Sequence, residues 1–443
     1  MPFYIKQLDK NIPILSVVHF FLGIIISSEK DIAIIWGLGI LFYGLLHVIR
    51  YKNRNDEASI FASYMVGMEV ALRGVGASVL WEYGKYSTIL LLITGMIVEN
   101  IKFLRINTLS VIYFVCLLPS VVLMPDVKFD YLRQMISGNL SGPLCLFISF
   151  IYFRKRIFSQ MNISNVFKSL LLPIISLLGL IFIRAPKMQN LSFSSEANFE
   201  MSAGFGPNQV STLLGVTLIV ISLSRMFNLK IFPRQIYEYF LLTISIGVAL
   251  LTFARGGVIA PVIAIAISYF LGGLRYKVQS KGIIYIIIVL FGLSYFSSNI
   301  TKGMIDARYA ALFKYFNPQE NVLTGRLKIV AIDFQIFRDN FLMGVGPGAG
   351  FQKRLEYGYG SGVAAHSEFS RMLAEHGMFG LISLMSLLIL SYKEFRKRTD
   401  YNKVILCCMS IFGILTMSHS AFRIALPGYI YGLSYIILNF NKR

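Results

Sequence analysis

Apolar runs of about 17 to 20 residues recur along most of this chain, separated by short polar segments. Each run is long enough to cross a hydrocarbon core of roughly 30 Å as a helix. Backbone polar groups inside lipid must be satisfied within the segment, so these runs must be helical. The sequence therefore predicts an all-α, polytopic integral membrane protein with about 12 to 14 transmembrane helices.

The predicted spans divide the chain into three parts of one integrated domain. Residues 1–298 form an N-terminal transmembrane bundle, residues 299–376 a large and partly helical loop, and residues 377–443 the C-terminal transmembrane helices. The last of these helices is predicted over 424–440, a nearly continuous apolar stretch.

The distribution of charge predicts the orientation. The formal net charge of +20 could suggest a nucleic-acid partner, but the basic residues form short clusters between apolar runs. With the N-terminus inside, 24 of the 42 basic residues lie in predicted cytoplasmic segments, against 9 in the 299–376 loop and 9 in the other outward segments. An excess of this kind marks the cytoplasmic side. We therefore expect both termini in the cytoplasm, the large loop outside, and no nucleic-acid partner.

Charged residues within or beside the apolar runs are candidates for a site. Glu69 and Arg73 are four residues apart on one predicted helix, where they would neutralise each other, but ionisable groups at membrane depth are also often functional. Arg255 lies between glycines and two apolar runs, where it could bind a ligand or simply extend to the interface. The polar segment 185–207 is either an exposed loop or a lid or rim over the same outward cavity.

The large loop contains most of the remaining chemistry. Its spacing of apolar residues predicts an amphipathic helix over 326–338, beginning at Arg326, and the glycines of 344–348 then predict a turn rather than a phosphate cradle. A second helix is predicted from His366. A neutral imidazole near pH 7 can accept a proton from an attacking hydroxyl, so His366 is the candidate general base. His376 is expected to have a capping or interface role.

Some common catalytic patterns are absent from the sequence. The 22 acidic residues include no Asp-x-Asp or Asp-Asp pair, and there is no zinc-type Cys/His spacing and no P-loop lysine. We therefore predict no metal and no cofactor. Arginines suit a diphosphate leaving group, because they stabilise its charge without a metal.

Several of these motifs, in this order, resemble the O-antigen ligase/polymerase superfamily of bacterial surface-polysaccharide enzymes. His366-Ser367 is followed by nine residues and then by Gly377-Met-Phe-Gly380, which is similar to the family's histidine–glycine pattern. The turn around Arg255 resembles the family's Ser-Arg-Gly signature, with Ala254 where serine is common. Thr324-Gly-Arg326 and the glycines of 344–348 resemble the family's approach to the histidine.

The resemblance implies metal-independent glycosyl transfer on the outer face of the cytoplasmic (inner) membrane, with the large loop in the periplasm. The donor would be a glycan on undecaprenyl diphosphate. His366 would activate the acceptor hydroxyl, while Arg255 and Arg326 would bind the diphosphate and stabilise its departing charge. The supporting substrate-binding residues would be Glu69, Arg73, Arg184 and Arg371.

The acceptor distinguishes two forms of this enzyme. A ligase uses lipid A-core and a polymerase uses a second lipid-linked glycan; membrane lipids and other polysaccharide-assembly proteins are the further expected partners. The alternative function is a lipid-linked polysaccharide flippase, which explains the many spans but not a large one-sided loop. A third possibility is a structural scaffold in an assembly complex.

Overall fold

A computed structural model describes residues 3–77, 82–100, 106–124, 128–185, 197–271, 280–314, 325–359, 365, 367–419 and 421–440. These residues form seventeen α-helices and two short strands, which confirms the predicted all-α class. The helices are α1 (Phe3–Ser28), α2 (Lys30–Tyr51), α3 (Glu57–Gly74), α4 (Tyr83–Val98), α5 (Thr108–Val115), α6 (Phe129–Phe153), α7 (Gln160–Arg184), α8 (Pro207–Met226), α9 (Gln235–Leu251), α10 (Gly256–Leu271), α11 (Ser280–Ile300), α12 (Met304–Lys314), α13 (Gly325–Asp339), α14 (Gly350–Glu356), α15 (Glu368–Lys397), α16 (Asp400–Met417) and α17 (Leu426–Leu433), and the strands are β1 (Ile157–Phe158) and β2 (Ile437–Leu438).

Seven of the described helices are long and apolar enough to cross a membrane, namely α1, α2, α6, α7, α8, α15 and α16. Further apolar helices, such as α4, α9 and α10, are shorter. The protein is therefore a multi-pass membrane protein. The number of 12 to 14 spans stays a prediction, because the shorter helices are apolar enough to lie in a membrane but do not reach the length required of a span.

Helix α3 lies at the centre of the N-terminal part. Every residue from Glu57 to Leu72 is buried, and the helix packs against α2, α4 and α7. Between α1 and α7 the backbones themselves come together: an alanine Cβ at Gly179 would lie 2.1 Å from the carbonyl oxygen of Phe20. Glycine at such positions lets membrane helices approach closely, and this close approach stabilises the pair through van der Waals packing.

The C-terminal segment differs from the prediction of a span over 424–440. Helix α17 has only eight residues, a rise of about 12 Å, which is too short to cross a membrane. Arg398 caps its end by donating hydrogen bonds to the carbonyls of Ser434, Tyr435 and Ile436. The chain then becomes extended, and β2 pairs in parallel with β1.

The helices bring different groups together at the two ends of the bundle. At one end, Arg156 after α6 forms ion pairs of 2.6 Å with Asp56 and 2.7 Å with Glu99. This joins the start of α3 to the ends of α4 and α6. The end of α3 and the starts of α8 and α15 meet at the other end, around a cavity. We call these the network end and the cavity end.

We predict that Gly179→Ala destabilises the protein by about 1–3 kcal/mol, because the added methyl group meets the backbone of α1 rather than a movable side chain. The measurement is the thermal unfolding midpoint of the purified protein in detergent. Gly39→Ala is the matched control, since no atom lies within 4 Å of a Cβ at that position. An unchanged midpoint for Gly179→Ala would show that α1 and α7 do not approach this closely.

Candidate functional site: an arginine-rich cavity

A cavity of about 590 Å³ lies at the cavity end of the bundle. Residues of α3, α6, α8, α13, α14 and α15 line it, together with the connections around them. Five arginines and three glutamates contribute to the lining, so positive charges exceed negative charges by two. These residues are Arg73, Glu82, Arg326, Arg354, Glu368, Arg371, Glu375 and Arg423.

Arg371 is fixed by two carboxylates on its own helix. It forms ion pairs with Glu368, three residues before it, and with Glu375, four residues after it, at 2.7 Å. It also donates to the side chain of Asn139 on α6, which connects α15 to the transmembrane bundle. These three charged residues of α15 are all buried in the wall of the cavity.

A second ionic network holds Arg73 in place. Its guanidinium lies 2.9 Å from a carboxylate oxygen of Glu69 and 2.7 Å from one of Glu82. Lys85 lies 2.7 Å from the same oxygen of Glu82. The second oxygen of Glu69 accepts the backbone N–H of Ala425 at 2.7 Å, so α3 is joined to the start of α17. The neutralising contact predicted for Glu69 and Arg73 is therefore present, and Arg73 also faces the cavity.

The helical parts of the large loop are held together by Asp333. This residue of α13 is fully buried and accepts hydrogen bonds from Arg354 of α14 and Ser370 of α15, both at 2.7 Å. Burial raises the pKa of the Asp333 carboxyl, and the positive charge of Arg354 acts in the opposite direction. Arg354 thereby reaches the cavity from a rigid three-helix arrangement.

The turn after α13 docks on α15 where that helix is kinked. Gly377 has φ +60° and ψ −138°, so the regular hydrogen bonding of α15 is interrupted there. The carbonyls of Ala374 and Glu375 instead accept the N–H groups of Val345 at 3.1 Å and Gly346 at 3.0 Å. The glycines at 344, 346 and 348 all have positive φ. The predicted turn is confirmed, and these two N–H groups bind within the protein rather than to a phosphate.

Arg326 and Arg423 bring two like charges near each other at one side of the cavity. Arg326 lies in the first turn of α13, and Arg423 donates a hydrogen bond of 3.0 Å to the carbonyl of Ala365. Burial lowers the pKa of Arg423, the positive charges of Arg326 and Arg371 lower it further, and the carboxylate of Glu368 acts in the opposite direction. An anion bound between the two guanidinium groups would relieve that repulsion.

His419 lies next to these arginines, behind the cavity wall. Its ring nitrogens lie 3.0 Å from the carbonyl oxygen of Leu415 and 3.0 Å from the hydroxyl of Thr212. Burial lowers the pKa of His419 to about 4; the Leu415 carbonyl opposes this shift and the charge of Arg326 adds to it. The imidazole is therefore neutral near pH 7. It packs directly on Gly256, the first residue of α10, where an alanine Cβ would come within 2.3 Å of the ring.

The structure brings three of the predicted site residues, Arg73, Arg326 and Arg371, into this one cavity, with Glu69 directly behind Arg73. His366 lies outside the described residues, whereas Ala365 before it lines the cavity.

Arg255 and Arg184 are at the cavity end but are not among the described residues that line the cavity. The turn that carries Arg255 is bound to the rim by a 2.8 Å hydrogen bond from Asn198 to the Thr252 carbonyl. Arg184 donates to the carbonyls of Ser27 and Gly74, at 2.9 and 2.8 Å, and so connects three helix ends. The roles of both arginines in substrate binding stay predictions.

Sequence reasoning missed Arg354, Arg423 and Glu82. Arg423 had a usable signal, because it lies between two apolar runs, as Arg255 does. Of the segment 185–207 the structure describes 185 and 197–207, and this described part supports the rim interpretation, since Phe199, Phe205 and Pro207 line the cavity. Among the residues that the structure describes, no group of three or more His, Cys, Asp or Glu side chains is placed to hold a metal ion.

Fold and site together define a multi-pass α-helical membrane protein with an arginine-rich cavity at one end of its helices. Residues 240–385, from α9 into α15, match the family model described as O-Antigen ligase. The match covers about a third of the chain, confirms the resemblance to the O-antigen ligase/polymerase superfamily, and indicates a glycosyltransferase-type enzyme. Comparison with curated proteins found no matching relative, and comparison with solved structures found no match.

We predict that the low pKa of His419 makes the protein less stable in acid. Between about pH 6.5 and pH 4 the unfolded chain binds a proton that the folded protein excludes, so stability falls as the pH falls through this window. The expected loss at pH 4.5 relative to pH 7.5 is on the order of 2–3 kcal/mol. In His419→Gln this part of the pH dependence should disappear.

The measurement is thermal unfolding in detergent at both pH values for the wild-type protein and the variant. All other titrating groups are common to the two proteins and cancel in the difference. Equal losses of stability on acidification would contradict a buried, neutral His419.

Proposed function

We propose that this protein transfers a glycan from undecaprenyl diphosphate to an acceptor hydroxyl, without a metal ion, on the outer face of the bacterial cytoplasmic membrane. The observation that carries this proposal is the convergence of five arginines in one cavity at the end of the membrane helices. A diphosphate leaving group gains negative charge as it departs, and preorganised guanidinium groups stabilise such charge strongly in a site partly shielded from water.

Four of the five arginines have described contacts that distinguish their roles. Arg73, Arg354 and Arg371 are engaged by carboxylates, so they shape the wall and orient its polar groups. Arg423 donates to a neutral carbonyl, and the charges near it are the positive charges of Arg326 and Arg371 and the carboxylate of Glu368. We assign the diphosphate to Arg423 and Arg326. The described part of the cavity thus supports Arg326 in the role predicted for it and adds Arg423.

In the proposed reaction, the bond between the anomeric carbon and the diphosphate oxygen breaks, and that oxygen keeps the electron pair. The acceptor hydroxyl oxygen forms the new bond to the anomeric carbon, and its proton passes to the imidazole of His366. The support for His366 is its sequence motif together with its neighbour Ala365, which lines the cavity and accepts a hydrogen bond from Arg423.

Arg255 has a supporting role in this proposal. Its turn is connected on one side to the cavity rim through Asn198 and on the other to His419, which packs against Gly256. A substrate that enters between the rim and α10 would meet this cation before it reaches Arg326. We therefore assign Arg255 to the binding of the donor diphosphate.

Removing one charge-stabilising arginine should lower glycosyl transfer by on the order of 10²–10³. We predict this loss for Arg326→Ala and Arg423→Ala, and a loss of on the order of 10²–10⁴ for His366→Ala. The measurement is transfer of lipid-linked glycan in membranes that contain each variant at equal expression.

Lys328→Ala is the matched control for Arg326→Ala. Lys328 is on the same helix, carries the same charge, is exposed and is not among the described residues lining the cavity. It should keep normal activity. If Arg326→Ala and His366→Ala transferred glycan as fast as this control, the proposed roles of both residues would be wrong.

Ligase and polymerase forms of this chemistry differ in the acceptor, and the histidine–glycine spacing at 366–380 resembles the ligase pattern more closely. We therefore predict that cells without this protein lose glycan capping of lipopolysaccharide but keep polymerised lipid-linked chains. Gel electrophoresis of lipopolysaccharide, with parallel extraction of lipid-linked glycans, distinguishes the outcomes. Caps of a single repeat unit would instead identify a polymerase.

A further inference from the structure

A second cavity lies at the network end of the bundle, away from the arginines. Its volume is about 920 Å³, and it is enclosed by the first turns of α7, the connection from α8 to α9, and the chain after β2. We call it the lysine pocket, because Lys168 and Lys230 both line it. The proposed glycosyl transfer does not use it.

The charges in and around the lysine pocket are predominantly positive. Lys168, on the third turn of α7, is almost completely buried, at 4% exposure, while Lys230 is exposed at the rim. Behind the wall, Arg225 forms an ion pair of 2.6 Å with the buried carboxylate of Glu238, which also interacts with Lys168 at longer range. Arg225 and Lys168 thus share one carboxylate, and the described lining itself contains no acidic residue.

The pocket is built from fixed elements rather than from a loose surface loop. The side chain of Gln160 donates to the carbonyl of Asn228 at 3.0 Å, and the hydroxyl of Ser164 donates to the carbonyl of Lys230 at 2.8 Å. These bonds hold the connection from α8 to α9 against α7. The N-terminal turn of α7, a helix of 25 residues, also lines the pocket, and its backbone dipoles favour an anion there.

The same pocket has a substantial apolar side. Met161, Ile231, Phe232 and Phe440 line it together with the polar groups. The pocket also lies at the ends of α7 and α8, two of the helices long enough to cross a membrane. An occupant should therefore combine a negatively charged group with a hydrocarbon part and be available at the membrane surface.

We propose that the lysine pocket binds an anionic phospholipid, with its phosphate between Lys168 and Lys230 and the start of its acyl chains against the apolar side. A phosphate group matches the surplus of positive charge and the helix N-terminus. The acyl chains match the apolar lining, which a free phosphate ion would leave in contact with water. The bound lipid would join α7 to the connection between α8 and α9 at the membrane surface.

The test uses the purified full-length protein in detergent and measures its thermal unfolding midpoint during titration. The three titrants are dioleoylphosphatidylglycerol, dioleoylphosphatidylcholine and inorganic phosphate. We expect phosphatidylglycerol to raise the midpoint of the wild-type protein in a saturable way, since a ligand that binds only the folded state stabilises it. Phosphatidylcholine and inorganic phosphate should produce much smaller shifts at the same concentrations.

Lys230→Gln is the main variant, because Lys230 is exposed and its loss should not disturb folding. Its half-saturating concentration of phosphatidylglycerol should rise about tenfold, which corresponds to roughly 1.4 kcal/mol. Lys168→Gln should show a similar rise if its midpoint without lipid is unchanged. Lys155→Gln is the matched control, since Lys155 is an exposed lysine of the neighbouring connection and is not among the described residues lining the pocket.

Two results would overturn the proposal. The first is the same half-saturating concentration for Lys230→Gln, Lys155→Gln and the wild-type protein. The second is full stabilisation by inorganic phosphate with none by phosphatidylglycerol, which would identify a soluble phosphate compound as the occupant. Neither measurement involves glycan transfer, so the proposal can fail or succeed independently of the proposed enzyme activity.

Discussion

Charges buried among membrane helices are the constraint on which this structure depends. A lone carboxylate or guanidinium at such a position is strongly unfavourable, so each must be matched by partners in fixed positions. Glu69 meets this requirement with Arg73 and with the backbone of Ala425, while Arg371 meets it with Glu368 and Glu375. The cavity lies between these two networks. The ion pairs that stabilise these buried charges therefore also hold the walls of the cavity in place.

This arrangement separates structural arginines from those suited to a ligand. An arginine with two carboxylate partners contributes little additional positive potential, because its charge is already balanced. Arg326 and Arg423 are close enough for their like charges to repel each other at one side of the cavity, where burial also weakens screening by water. A chemical role for an arginine thus follows from its neighbours more than from its mere presence in the cavity.

Periodicity and glycine content were sufficient to predict the local structure of the large loop. The helix predicted over 326–338 is α13 (Gly325–Asp339), and the turn at 344–348 follows it. The predicted span over 424–440 was wrong because hydropathy does not detect contacts between distant segments. Gly428 and Gly432 lie against α6, and Arg398 donates to the carbonyls of the chain immediately after α17. The segment is apolar because protein surrounds it, since Leu426 to Leu433 are all buried.

The same limitation applies to the cavity. Arg73 and Arg371 could be predicted because their partners are three or four residues away on the same helix. Arg354 pairs with Asp333, 21 residues earlier, and Arg423 contacts Ala365, 58 residues earlier. No local spacing encodes such pairs. His366 was found from its motif, which is a resemblance rather than a physical derivation.

The contact between Glu69 and Ala425 has a consequence for biosynthesis. The two residues are 356 positions apart, so α3 is synthesised long before the backbone N–H group of Ala425 that binds the Glu69 carboxylate. Strand β1 likewise has no pairing strand until residues 437 and 438 have been synthesised. Insertion of the early helices and assembly of the cavity are therefore separate events in time. The cavity takes its final form only when the last segment of the chain docks, so a partly synthesised protein carries no finished site.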